Sequence, residues 1–94
     1  MSDLDNEIRK RVTLGAEAER FLNTNLGRFL VQRAEEVIES AVDELKTVDP
    51  ENPKTIRALQ QKITVAESVQ YWLAGAINDG YEAERQYLEA QSPD

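Results

Sequence analysis

The sequence contains no cysteine and no histidine, and these two absences exclude most of the chemistry open to a small protein. Without cysteine there is no thiol nucleophile, no disulfide and no thiolate metal ligand. Without histidine, the usual general base near neutral pH and the commonest transition-metal ligand are absent as well. The serines and threonines have no candidate base, and no Glu-x-x-His motif supports a metal site in a helical bundle. We therefore predict no catalytic residue, no cofactor, no metal and no enzymatic activity.

Long apolar runs and an excess of positive charge are also missing. No segment approaches the roughly 20 apolar residues that a membrane-spanning helix needs, and residues 1–5 lack the basic and apolar regions of a signal peptide. The 94 residues carry 18 acidic and 11 basic side chains, a formal net charge of −7. Such a surface disfavours binding to a phosphate backbone. The basic cluster Arg9-Lys10-Arg11 is expected to form solvated ion pairs with Asp5 and Glu7. We expect neither a membrane nor a nucleic acid as partner.

Helical periodicity on both sides of one strong breaker is the main positive feature of the sequence. The breaker is Asp49-Pro50-Glu51-Asn52-Pro53, and apolar residues recur at helical spacing over 24–48 and over 54–90. Two amphipathic helices joined by a short proline turn form an antiparallel hairpin. The sequence therefore predicts an all-α fold built on a long helical hairpin.

An additional helix is predicted at the N-terminal end, over residues 3–22. Gly15 weakens helix formation at its middle, so we expect a bend or a break there. The residues Asn23-Thr24-Asn25 favour helix caps, and the sequence leaves open whether the first two helices are separate or form one kinked helix. All three helices are assigned to one domain, residues 1–94.

The third predicted helix carries more apolar surface than one neighbouring helix can cover. Its two apolar stripes together span roughly 200° of the helix circumference, and it is longer than the second helix. We expect the excess to pack against the first helix and against another copy of the chain, in an oligomeric bundle. The residues predicted at the interface between copies are Val65, Val69, Trp72, Ala76, Gly80 and Ala83.

Several positions on this helix have a second interpretation. Trp72 fits a core or a subunit interface, and alternatively a platform on which a ligand stacks. Gly80 indicates close approach of two helices, and alternatively a helix break at 78–80. Tyr71 falls on the polar face beside the bare backbone of Gly75, an arrangement that suits contact with a partner's side chain.

Acidic residues recur at one-turn spacing on the polar face of the second predicted helix. Glu35, Glu39 and Asp43 place like charges above one another, which costs a little stability. The ordinary interpretation is a solvated face, and the alternative is an acidic strip that docks on a basic partner.

The stretch from Phe21 to Leu88 resembles small helical proteins encoded by tailed bacteriophages, often near head genes. The segments that carry the resemblance are Leu26-Gly27-Arg28-Phe29-Leu30, Val48-Asp49-Pro50, Leu59-Gln60 and Trp72-Leu73. It implies a phage origin, and with it a place in the bacterial host cytoplasm or in the virion. We expect a structural, assembly or interaction protein that acts as a homo-oligomer and binds a phage structural protein or a host protein. The alternative is a small acidic inhibitor of a host defence protein.

Overall fold

The protein is known from a computed structural model, which describes residues 2–91, and it contains three α-helices in that range. The helices are α1, Asp3–Leu22; α2, Asn25–Thr47; and α3, Pro53–Gln91. No strand occurs anywhere in the described range. The predicted all-α class and the antiparallel hairpin are confirmed, and the outermost ends of the predicted domain, at residues 1 and 92–94, lie outside the described residues.

Polar side chains set the boundary between α1 and α2 and the start of α1. The Ser2 hydroxyl accepts a hydrogen bond from the backbone N–H of Asp5 at 3.1 Å, which caps α1. The Thr24 hydroxyl donates to the carbonyl oxygen of Phe21 at 2.6 Å and accepts from the N–H of Gly27 at 2.9 Å. One side chain thus ends α1 and begins α2. The two helices are therefore separate, and the alternative of one kinked helix is wrong.

The turn between α2 and α3 is held by two short polar side chains. Asp49 accepts a hydrogen bond from the N–H of Glu51 through its carboxylate, and its carbonyl accepts from the N–H of Asn52, both at 2.9 Å. Asn52 then caps α3 by accepting from the N–H of Thr55 at 3.2 Å. Pro53 is the first residue of α3, where its missing N–H leaves no hydrogen bond unmade.

The helices α1 and α2 lie end to end along the single long helix α3, and both run antiparallel to it. α2 packs on the first half of α3 and α1 on the second half, while α1 and α2 contact each other little. The molecule is consequently a rod of 63 × 28 × 21 Å. Its radius of gyration is 19.1 Å, whereas a compact chain of this length would have about 12 Å.

Small side chains fill the seam where the helices meet. The buried apolar residues are Ile8, Ala18, Ala34, Ala41, Leu59, Ala66 and Ala83. Ala34 and Ala41 lie seven residues apart on α2, as Leu59 and Ala66 do on α3, so each pair falls on one helix face. Because alanine projects little, the helix backbones approach closely, and larger side chains are placed on the sides of the seam.

α1 and α3 approach each other closely where a glycine of one helix meets a glycine of the other. A Cβ atom added at Gly15 would lie 2.8 Å from the carbonyl oxygen of Ala76 and 3.0 Å from the Cα of Gly80. The break expected at Gly15 is wrong, because α1 continues through it and the missing side chain serves packing. The break at 78–80 is wrong for the same reason, and the interpretation of Gly80 as a close-approach residue is confirmed.

Candidate interaction surface

An open groove runs between α2 and α3 on one side of the seam. Seven of its ten lining residues are apolar and three are polar. The lining residues are Leu30, Arg33, Ala34, Val37, Ala58, Gln61, Lys62, Val65, Ala66 and Val69. The alanine seam forms the floor of this α2–α3 groove, and the longer side chains of both helices form its walls.

Exposed apolar side chains extend the groove toward the middle of the rod. Trp72 lies one turn beyond Val69 and is 70% exposed, and Val65 is 63% exposed. On α2, the exposed Leu26 lies one turn before the partly exposed Leu30. We name this surface the apolar flank, and it consists of Leu26, Leu30, Val37, Val65, Val69 and Trp72. It is built from two helices and is wider than the single-helix stripe that the sequence predicted.

The charge along the groove differs from that of the whole chain. None of its ten lining residues, all within the described range, is acidic, and two of them, Arg33 and Lys62, are basic. The chain as a whole has a formal net charge of −7. Arg33 is itself paired with Glu36 at 3.5 Å. The groove thus carries little net charge in an otherwise acidic protein.

The six residues predicted at an interface between copies do not form a single exposed surface. Val65, Val69 and Trp72 lie on the apolar flank. Ala76 is partly buried, with its carbonyl oxygen against Gly15 of α1. Gly80 is buried and Ala83 is 0% exposed, both in the half of α3 on which α1 packs. These two are therefore corrected to residues of the α1–α3 seam, because α1 covers the second half of α3.

Tyr71 and Gly75 lie on the face of α3 that is turned away from both other helices. Tyr71 is 76% exposed, and a Cβ atom added at Gly75 would meet nothing within 4 Å. The surface around Tyr71 is shallow and lined by polar residues and one alanine, namely Thr64, Glu67, Ser68, Gln70 and Ala74. The predicted contact of this pair with a partner stays a prediction.

A bidentate ion pair fastens α1 to α3. The Arg11 guanidinium donates from Nε to one carboxylate oxygen of Asp79 at 3.0 Å and from Nη2 to the other at 2.8 Å. These hydrogen bonds lower the pKa of Asp79 below its ordinary value and raise the pKa of Arg11. Sequence reasoning paired Arg11 with Glu7, one turn away, because a partner 68 positions along the chain leaves no local signal.

A second polar contact lies between the same two helices. The Tyr81 hydroxyl donates a hydrogen bond to the carboxylate of Glu19, and this bond raises the pKa of Tyr81. Together with the pair of Arg11 and Asp79, it fixes how α1 is placed along α3. Both contacts are structural, and neither was visible in the sequence.

The acidic residues of the described chain do not gather into a metal site. No group of three or more acidic side chains within residues 2–91 is placed to hold a metal ion. No helix in the same range combines the length and the apolar character needed to cross a membrane.

No protein-family model matches the chain, and comparisons with curated proteins and with solved structures likewise found no match. The structure defines an all-α rod in which a long helix supports two shorter ones and in which the apolar flank is exposed.

Proposed function

We propose that the protein is a non-enzymatic interaction or assembly protein that acts as a helical homo-oligomer in a tailed bacteriophage, in the host cytoplasm or in the virion. The observation that carries the proposal is a small core beside a large exposed apolar surface. The resemblance of residues 21–88 to small phage proteins supports the phage setting. The lack of cysteine and histidine supports a role without catalysis.

The core of one chain contributes little apolar burial. Five of the seven buried apolar residues are alanines, and no large side chain in the described range is fully enclosed. Twelve large apolar or aromatic side chains in that range are exposed instead. Full burial of one such side chain stabilises a protein by about 1.5–3 kcal/mol. A second copy that covers several of them supplies the core that the single chain lacks.

The accessible surface of the chain gives the same result. It measures 7278 Å², whereas a compact monomer of this mass would expose about 5,500 Å². The excess is roughly 1,800 Å², which lies within the area that each partner of an obligate homodimer buries, about 1,000–2,500 Å². The rod shape therefore leaves uncovered about as much surface as a stable dimer needs.

Sedimentation equilibrium of the purified protein tests the homo-oligomer. At micromolar concentration we expect a mass at least twice that of the 10.7 kDa chain. A mass of one chain up to high micromolar concentration would refute the homo-oligomer.

An affinity pull-down from infected cells tests the assembly role. We expect a phage structural protein to co-purify with the tagged chain, and we expect the chain itself in purified virions or in assembly intermediates. Absence of the chain from both particles, together with no phage protein in the eluate, would refute this role.

A second candidate function is a small acidic inhibitor of a host defence protein, such as a nuclease. The observation that favours it is the row of Glu35, Glu39 and Asp43, all exposed along the outer face of α2. Carboxylates in a row can occupy a groove that otherwise holds a phosphate backbone. The same pull-down separates the two functions, because an inhibitor would bring down one host protein. Replacing the three acids with Gln and Asn would then abolish that capture.

A further inference from the structure

We infer that the apolar flank, Leu26, Leu30, Val37, Val65, Val69 and Trp72, is the surface on which a second copy of this chain docks, with the two copies related by a two-fold axis. This inference rests on the proposed homo-oligomer and names its interface. The occupant is a second copy because of the surplus surface of the chain and because of the shape and the charge of the flank.

The flank combines a groove with projecting side chains. It has a groove, floored by Ala34 and Ala66, and projecting side chains next to that groove, above all Val65 and Trp72. A two-fold axis brings the same patch of both copies together, so each copy can place its projecting side chains against the groove of the other. The result is a four-helix arrangement in which α2 and α3 of both copies share one apolar core.

The charge of the flank favours this surface over the others for self-association. Two copies that each carry −7 repel each other, and repulsion is smallest where acidic side chains are absent. The groove has no acidic residue among those that line it, all of them described, and Arg33 at its side is paired with Glu36 at 3.5 Å, which offsets positive charge that two copies would otherwise bring together. The outer face of α2, by contrast, presents Glu35 and Glu39, which would meet like charges in a second copy.

Two adjacent aromatic residues of α3 provide a matched test. Trp72 lies on the apolar flank and Tyr71 about 100° around α3 on the neighbouring polar face, and they are exposed to similar extents, 70% and 76%. Trp72→Ala and Tyr71→Ala each remove one exposed aromatic ring from the same turn of the same helix. The dimer dissociation constant, measured by sedimentation, should rise at least about 100-fold for Trp72→Ala, since both copies lose a large apolar contact. It should change less than about threefold for Tyr71→Ala, because that ring lies outside the interface.

The intrinsic fluorescence of the wild-type protein gives an independent readout, because Trp72 is the only tryptophan in the chain. Dilution through the dissociation constant should shift its emission toward that of a tryptophan in water, and the shift should follow the fall in mass. Circular dichroism of both alanine variants checks that the helices stay intact, which is expected because neither ring is part of the seam.

The outcomes separate the interface from the homo-oligomer itself. If wild type and both variants form equally tight oligomers, or if Tyr71→Ala alone dissociates them, the flank is not the interface while the homo-oligomer stands. If wild type sediments as a single chain, both the interface and the homo-oligomer are refuted, and the flank belongs to a different partner. Dissociation by Trp72→Ala alone, with the matching fluorescence shift, supports the docking of a second copy on the flank.

Discussion

Replacing two helical glycines with alanine, one at a time, distinguishes the effect of α1–α3 packing on stability from the effect of helix propensity. Gly15 and Gly75 both lie inside helices, where changing glycine to alanine raises stability by about 1 kcal/mol when nothing else changes. Around Gly75 there is nothing within 4 Å of an added Cβ atom, so Gly75→Ala should give this full gain. For a chain of this size the gain corresponds to a rise in melting temperature of about 4–8 °C.

At Gly15 the added atom has no room. It would lie 2.8 Å from a carbonyl oxygen and 3.0 Å from a Cα of α3, and both are backbone atoms that cannot rotate away. The helices must separate by a few tenths of an ångström, and overpacking of this kind costs about 1–3 kcal/mol. Gly15→Ala should therefore be less stable than Gly75→Ala by about 2 kcal/mol, since the propensity gain is common to both.

Urea denaturation followed by circular dichroism measures this difference. All samples need the same protein concentration, because the stability of an oligomer depends on it. Equal stabilisation by Gly15→Ala and Gly75→Ala would refute the backbone contact between α1 and α3. The Gly75 variant also tests the predicted contact of Tyr71 and Gly75 with a partner, since an added methyl group there should weaken partner binding without lowering stability.

Three further variants test the contacts of α1. The folded-state pKa of Asp79 is below its unfolded value, so its pair with Arg11 stabilises the fold above that value and the stabilisation is lost as the pH falls through the folded-state pKa. The urea midpoint of the wild-type protein should therefore fall below pH 4, and Asp79→Asn should make this fall smaller. A fall of the same size in the variant would contradict the ion pair. The pKa of Tyr81 is raised above 10.0, so its hydrogen bond to Glu19 stabilises the fold below that pH and is lost as the pH rises further. In an ultraviolet titration, Tyr81→Phe should remove one ionisation that occurs above pH 10.0. Gly27→Ala would place a Cβ atom 1.8 Å from a carbonyl oxygen of α1 and should lower the free energy of unfolding by about 3 kcal/mol. A melting curve like that of the wild-type protein would argue against this close contact between α1 and α2.

The hairpin was predictable because its signals are local. Residues 49–53 combine two prolines with residues that favour turns, and the apolar spacing on both sides has the helical period. The sequence did not decide whether α1 and α2 are separate helices or one kinked helix. In the structure the Thr24 hydroxyl forms hydrogen bonds with both helices and caps the boundary between them.

The apolar flank was only half predictable, because the predicted interface residues all lay on the third helix and none on the second. The structure divides the apolar arc of α2. Ala34 and Ala41 are buried at the seam, while the larger Leu26 and Leu30 lie to one side. The seven-residue spacing of these small side chains was a readable signal for the seam. The contact of Gly15 with α3 had no such signal, since a lone glycine in a helix marks close packing only when the opposing backbone is known.

The end-to-end placement of α1 and α2 also bears on the order in which the chain folds. α2 meets α3 across a short turn, whereas contacts of α1 join residues as far apart as Arg11 and Gln86, 75 positions along the chain. Closing the longer loop costs more entropy, so we expect the hairpin to form first and α1 to dock on it afterwards. On this reasoning the rod assembles in two steps along one continuous helix.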